Sequence, residues 1–182
     1  MKSLEEKTLS TEKIFSGKII SLQVEEVELP NGKTSKREII KHPGAVAVIA
    51  ITDDEKIVMV EQYRKALERN IIEIPAGKLE KGEKPEVCAI RELEEETGYE
   101  CKNIEWLISF YTSPGFADEL VHLYVATGLT KKPDAAGLDE DEFVNLVEVS
   151  LDEALELMKE QKIYDAKTAF AVQYLQLKDA LK

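Results

Sequence analysis

Hydrophobic positions in this chain come in short stretches broken by turn residues, with no long apolar run. From Ile19 to Leu29 and from Lys33 to Lys41 apolar side chains alternate or cluster around Pro30-Asn31-Gly32, whose turn chemistry makes the two segments a β-hairpin. Ala45–Thr52 and Lys56–Tyr63 form a second pair across Asp53-Asp54-Glu55. Ala45–Ile51 is apolar throughout, as a central strand requires. Ile71–Ile74 is a further short strand, and then the period changes. Pro85–Thr97 reads as a helix, with proline in its first turn and Gly98 just past its end. At about 100° per residue, Ile90, Leu93 and Thr97 share one face with Val87 at its edge. Glu92 and Glu96 project together from a different side. Glu105–Tyr111, Leu120–Thr127 and Phe143–Val149 read as strands. Ser150-Leu151-Asp152-Glu153 is a capping box opening a helix to about Glu160, and a last helix starts near Asp165.

Strands and helices interleave irregularly, without repeats, which favours α+β or an α/β/α sandwich. Pro43-Gly44 suggests a division into a small N-terminal β-hairpin subdomain, residues 1–43, and a main domain, residues 44–182. The first is too short to bury a core of its own, so it must pack on the main domain or on a second subunit.

Composition narrows the function. A chain of 182 residues with 43% apolar side chains supports one well-buried core. Its formal charge of −12 disfavours nucleic acid as a main partner. No apolar run approaches the ~20 residues of a membrane span, and the start lacks the apolar segment of a secretory signal, so the expected location is cytoplasmic, with no membrane partner. Cys88 and Cys101 form no disulfide framework and are read as reduced. His42 and His122 are far apart in sequence, which leaves a zinc site or a catalytic triad little to work with. The acidic excess is local: eight acidic and four basic residues lie between Gly77 and Glu100, ten and one between Asp134 and Glu160.

Three glutamates on one helix repel each other by a few tenths of a kcal/mol per pair, and Arg91 offsets only Glu95 at i, i+4. A solvated acidic face is one reading. The other is a site for a hard divalent cation, because Mg²⁺ takes oxygen ligands from one or two carboxylates plus substrate phosphates. The surrounding pattern favours the second. Gly77, five residues, Glu83, seven residues, then Arg91-Glu92-Leu93-Glu94-Glu95-Glu96-Thr97-Gly98-Tyr99 resembles the Nudix box at every fixed position, with Tyr99 where an aliphatic residue is more usual.

The resemblance implies the Nudix fold, an α/β/α sandwich with a mixed β-sheet, and hydrolysis of a nucleoside diphosphate linked to another group. It makes Glu92 and Glu96 the principal ligands of Mg²⁺, with Mn²⁺ as a possible substitute, Glu95 a third, and the Ala76 carbonyl a completing ligand. Arg91 would orient Glu95, Gly77 would enter the loop and Gly98 end the helix. Glu83 would cap the helix, help hold metal, or simply complement the helix dipole.

Pro114 follows the last box glycine by 16 positions. Together with Arg37-Glu38, Glu61-Gln62-Tyr63-Arg64, Glu73-Ile74-Pro75-Ala76-Gly77 and Leu138–Phe143, it resembles the ADP-ribose pyrophosphatase subfamily. That likeness implies ADP-ribose as substrate and a homodimer built through the N-terminal strands. Arg37 and Glu38 would contact substrate, Arg64 would lie near the phosphates, and Ser113, Gly115 and Glu119 near the terminal ribose. An edge-strand solubilising role is the alternative for Arg37. His42 stands where related enzymes can carry arginine, which leaves one phosphate contact open. In the acidic loop, Glu140 is read as general base and Glu142 as a catalytic metal ligand, or the two with roles exchanged. The rival substrates are other nucleotide sugars such as GDP-mannose. A non-catalytic ADP-ribose sensor is disfavoured by the intact box.

Overall fold

The computed structural model describes residues 3–132 and 143–181. The chain forms two compact units, residues 1–44 with 110–121, and residues 45–109 with 122–182.

In the first unit, β1 (Lys7–Ser16), β2 (Ser21–Glu28) and β3 (Thr34–Lys41) form an antiparallel sheet in that order. The β2–β3 turn is the expected one: Asn31 Oδ1 accepts the Lys33 N–H at 3.0 Å, and Gly32 takes a φ of 77°. The sequence pattern did not reveal β1, because every one of its residues is exposed and no alternation marks it. Residues 110–121 return along the end of β3. Ile40 N–H donates to Phe116 O at 2.7 Å, and Asp118 N–H donates to Ile40 O at 3.2 Å.

In the second unit, β4 (Ala45–Ile51) and β5 (Ile57–Arg64) pair only beside their turn, at Ala50 with Val58 and Ile51 with Ile57. They then diverge, and β6 (Arg69–Glu73) and β7 (Ala76–Lys78) enter the gap, β6 along β5 and β7 along β4. This wedge carries Glu73-Ile74-Pro75-Ala76-Gly77 into the middle of the sheet, where Pro75 O accepts the Val48 N–H at 2.8 Å. Helix α1 (Pro85–Thr97), β8 (Tyr99–Tyr111), β9 (Leu120–Lys131), β10 (Val144–Val149), α2 (Leu151–Lys159) and α3 (Ala166–Ala180) complete the chain, with strand order β10-β5-β4-β9-β8.

Val46, Val48 and Ala50 of β4 pack with Cys88, Ala89 and Leu93 of α1 and with Tyr124 and Ala126 of β9. The alternate residues Ala47 and Ile49 are equally buried and point to the opposite face. On α3, Thr168, Ala171 and Val172 are buried, and Thr168 Oγ1 accepts the Ile74 N–H at 3.1 Å. These elements make the expected α/β/α sandwich. The Ser150 capping box is present in full, and Asp165 caps α3. No helix among the described residues is long and apolar enough to cross a membrane.

Helix α1 runs over the expected residues; of the apolar face read from its spacing, Leu93 and Thr97 are buried together with Cys88, Ala89, Glu92 and Glu96, while Val87 and Ile90 are 54% and 40% exposed. Hydrophobic periodicity assigns apolar side chains to the core; here two carboxylates occupy part of that face because the wedge supplies partners for them.

Candidate active site

Gly77 has no left-handed φ, so its lack of a side chain matters through space alone. A β-carbon there would sit 1.9 Å from Glu92 Cδ, so the Glu92 carboxylate lies directly against the backbone of β7. Glu96, one turn on, accepts the Ala76 N–H at 2.9 Å. Both carboxylates are buried, at 8% and 7% exposure. Gly98 ends the helix with φ 72°, its N–H donating to Glu94 O at 2.8 Å, which is the left-handed cap expected of it.

Arg91 organises the outer side of the helix. Its Nε and Nη2 donate to the two oxygens of Glu83 at 3.1 Å each, and Nη1 lies 2.8 Å from Glu95 Oε2 and 2.9 Å from Glu92 Oε1. The Glu83 hydrogen bonds, followed by the field of Glu92, raise the Arg91 pKa despite desolvation. The same contact pulls Glu83 down to about 2. Glu83 also accepts the Glu80 N–H, at 3.1 Å, while the N-cap Lys84 makes no side-chain cap. Glu83 therefore binds Arg91 and its own loop. Cys88 is buried, and burial first, then Glu83, pushes its thiol up to about 12, so it is inert packing.

The donor set suits a hard cation. Glu92, Glu95 and Glu96 offer only oxygens, carry three charges near one arginine, and have the backbone of Ala76 and Gly77 alongside. Among the described residues no group of three or more His, Cys, Asp or Glu side chains is gathered closely enough to hold a metal ion by itself. Glu140 and Glu142 lie outside the described residues.

Arg64, at the end of β5, donates Nε–H to Glu73 Oε2 at 2.6 Å, and Lys167 of α3 donates to Glu73 Oε1. Desolvation works against the Arg64 charge, but the Glu73 hydrogen bond and the fields of Glu73, Glu96 and Asp165 raise its pKa. Glu73 and Lys167 were not singled out as site residues from the sequence. The signal was a lone carboxylate in the apolar run Ile71–Ile74, which needs a buried partner.

Within the first unit, Arg37 is gripped by Glu6, Nε to Oε2 at 2.8 Å and Nη2 to Oε1 at 2.5 Å, while Glu38 is exposed. Ser113 O accepts the N–H groups of Phe116 and Ala117, at 3.1 and 2.9 Å, and a β-carbon on Gly115 would meet nothing within 4 Å. Glu119 accepts from Thr112 Oγ1 at 2.5 Å and lies 3.7 Å from His42 Nε2. His42 thus faces a carboxylate, and its Nδ1 accepts the Gly44 N–H at 3.1 Å.

A box helix turned carboxylate-inward over a glycine, in an α/β/α sandwich, defines a family. The chain belongs to the Nudix family: residues 41–170 match the NUDIX domain, and residues 6–40 match the nucleoside diphosphate sugar hydrolase N-terminal domain. It is 73% identical over its whole length to the methanol dehydrogenase activator of Bacillus methanolicus, covering 98% of that protein. It is 65% identical, again over its whole length and 98% of the relative, to the ADP-ribose pyrophosphatase of Bacillus subtilis (strain 168). The crystal structure of an ADP compounds hydrolase shares the fold with a TM-score of 0.83 at 22% identity, over 97% of this chain and 95% of that one.

Proposed function

We propose that this chain hydrolyses ADP-ribose to AMP and ribose 5-phosphate, with Mg²⁺ or in its place Mn²⁺, as a homodimer acting in the cytoplasm. Water adds to one phosphorus and the bridging P–O bond breaks, leaving one phosphate on each product. The observation that carries this reading is the inward pair Glu92 and Glu96 beside Gly77 and Ala76, with the Arg64 guanidinium in the field of Glu96. The full-length Bacillus subtilis relative, an ADP-ribose pyrophosphatase, supports it.

Glu92, Glu95, Glu96 and the Ala76 carbonyl would hold the divalent cation, with Glu142 from the acidic loop. When bound, that ion neutralises charge on the phosphate oxygens and acidifies a water ligand. Arg91 holds Glu92 and Glu95 in register, so that the ligands are oriented before substrate arrives. Arg64 binds the diphosphate as a donor fork. Glu140 takes the proton from the attacking water, or Glu142 does with the roles exchanged. Arg37, Glu38, Ser113, Gly115 and Glu119 hold adenine and terminal ribose, with residues 1–43 as the dimerising part. Exposed Leu9, Ile14, Phe15 and Ile19 support a second chain covering that sheet.

Product analysis with ADP-ribose, GDP-mannose, ATP and diadenosine polyphosphates tests the substrate. ADP-ribose is expected to be turned over fastest; faster turnover of GDP-mannose would replace it with the rival nucleotide sugar. The name of the Bacillus methanolicus relative favours a second reading, in which the chain also stimulates a methanol dehydrogenase. Adding the chain to that enzyme and following its rate tests this directly.

A further inference from the structure

Among the described residues three carboxylates are buried: Glu92 and Glu96 of the box, and Glu73. The first two have a function above. Glu73 is 2% exposed, and a carboxylate so placed costs several kcal/mol unless cations and hydrogen bonds compensate it. It has two, Arg64 from β5 and Lys167 from the first turn of α3.

The surrounding elements have other ties. β6 is held to β5 by its backbone ladder, the Ile74 N–H is taken by Thr168 Oγ1, and the N-terminus of α3 is capped by Asp165. Replacing such a buried ionic cluster by apolar groups is often neutral or stabilising, so stability alone does not explain it. What the cluster does is hold a guanidinium. Arg64 gives its Nε–H to Glu73, and among the described residues nothing else takes its two terminal amino groups. Its side chain is 40% exposed, so that end reaches solvent, within the field of Glu96. Lys167 is anchored behind, sharing itself between Glu73 and Asp165 Oδ1, the latter at 2.9 Å.

We infer that Glu73 is a positioning residue. It fixes Arg64 through Nε so that the two terminal amino groups stand as a fork toward the diphosphate, and Lys167 keeps Glu73 in that orientation from α3. This rests on the diphosphate reading above. Ordering a free arginine during binding loses side-chain freedom, and pre-ordering removes part of that loss from the binding step.

The test is a double-mutant cycle. Glu73→Gln keeps size and a hydrogen-bond acceptor but removes the charge; it is expected to raise KM for ADP-ribose about tenfold with kcat within about threefold of wild type. In an Arg64→Ala background the same substitution is expected to change KM by less than twofold. Lys167→Met, which leaves Glu73 in place, is expected to shift KM in the same direction and to lose that effect in the same background. The cycle is repeated by calorimetry with inorganic pyrophosphate, which needs no turnover. Effects that add in both cycles, or an Arg64→Ala variant that binds pyrophosphate as wild type does, overturn the inference. Coupling on pyrophosphate without preference for ADP-ribose overturns only the substrate.

Discussion

Gly77→Ala isolates the contact that most defines the site. The new methyl would lie 1.9 Å from Glu92 Cδ and Oε1, and ordinary contact begins at 3.4 Å, so the carboxylate must retreat by about 1.5 Å. The backbone accepts alanine, since Gly77 is not in the left-handed region, and what is displaced is the end of a flexible side chain. The expected folding penalty is therefore under about 1.5 kcal/mol, a fall in Tm below about 6 °C for a chain of this size. Function should suffer far more. A ligand moved by more than ~1 Å is expected to lower kcat/KM about 100-fold, equivalent to about 2.7 kcal/mol. AMP release from ADP-ribose, measured across a Mg²⁺ titration, reads the loss, and thermal unfolding reads the fold. In a Glu92→Gln background, alanine at 77 is expected to cost little more. Activity within threefold of wild type would refute the reasoning, as would a fall in Tm beyond about 10 °C, which would make the glycine a requirement of the fold instead.

Glu96→Gln keeps an oxygen that can accept the Ala76 N–H, so the fold is expected to survive, while kcat falls below a tenth of wild type, at least about 1.4 kcal/mol. Circular dichroism and AMP release check the two halves, and kcat above that level contradicts the ligand role. Folding lowers the Glu83 pKa to about 2 through Arg91, so its stabilisation is complete above the ordinary 4.5 and vanishes as pH falls toward 2. Taken unscreened the shift is worth about 3 kcal/mol, reduced by solvent to about 1–2 kcal/mol. Urea unfolding of Glu83→Gln is expected to show that deficit at neutral pH and a narrowing gap to wild type in acid; a gap that does not change with pH counts against it. Leu9→Asp with Ile14→Asp places charge on the exposed β1 sheet, and sedimentation should then give the single-chain mass of 20.5 kDa where wild type gives twice that. A wild type that sediments as a monomer, or a variant that stays dimeric, rejects that interface.

Much of the architecture could be read from local pattern. The bounds of α1 follow from Pro85 and Gly98, the β2–β3 hairpin from its turn, and α2 from its capping box, because each signal acts within a few residues of its own backbone. The box glutamates were readable for another reason: the spacing of the motif that contains them survives in one dimension. The orientation of α1 was not readable. Leu93 and Thr97 face inward as their spacing allows, but the carboxylates buried beside them are tolerable only where a distant glycine and an amide N–H wait for them. Nor was β1, which carries no alternation because neither of its faces is buried.

The Glu73–Arg64–Lys167 cluster was hidden for a third reason, the distance along the chain: Lys167 reaches Glu73 across 94 positions. By itself, then, the sequence determined which residues could carry the chemistry, and where most helices and strands begin and end. Tertiary structure decided which way α1 faces and which charges neutralise one another. Burial and pairing depend on what arrives from elsewhere in the chain, and the splaying of β4 from β5 is what brings it there.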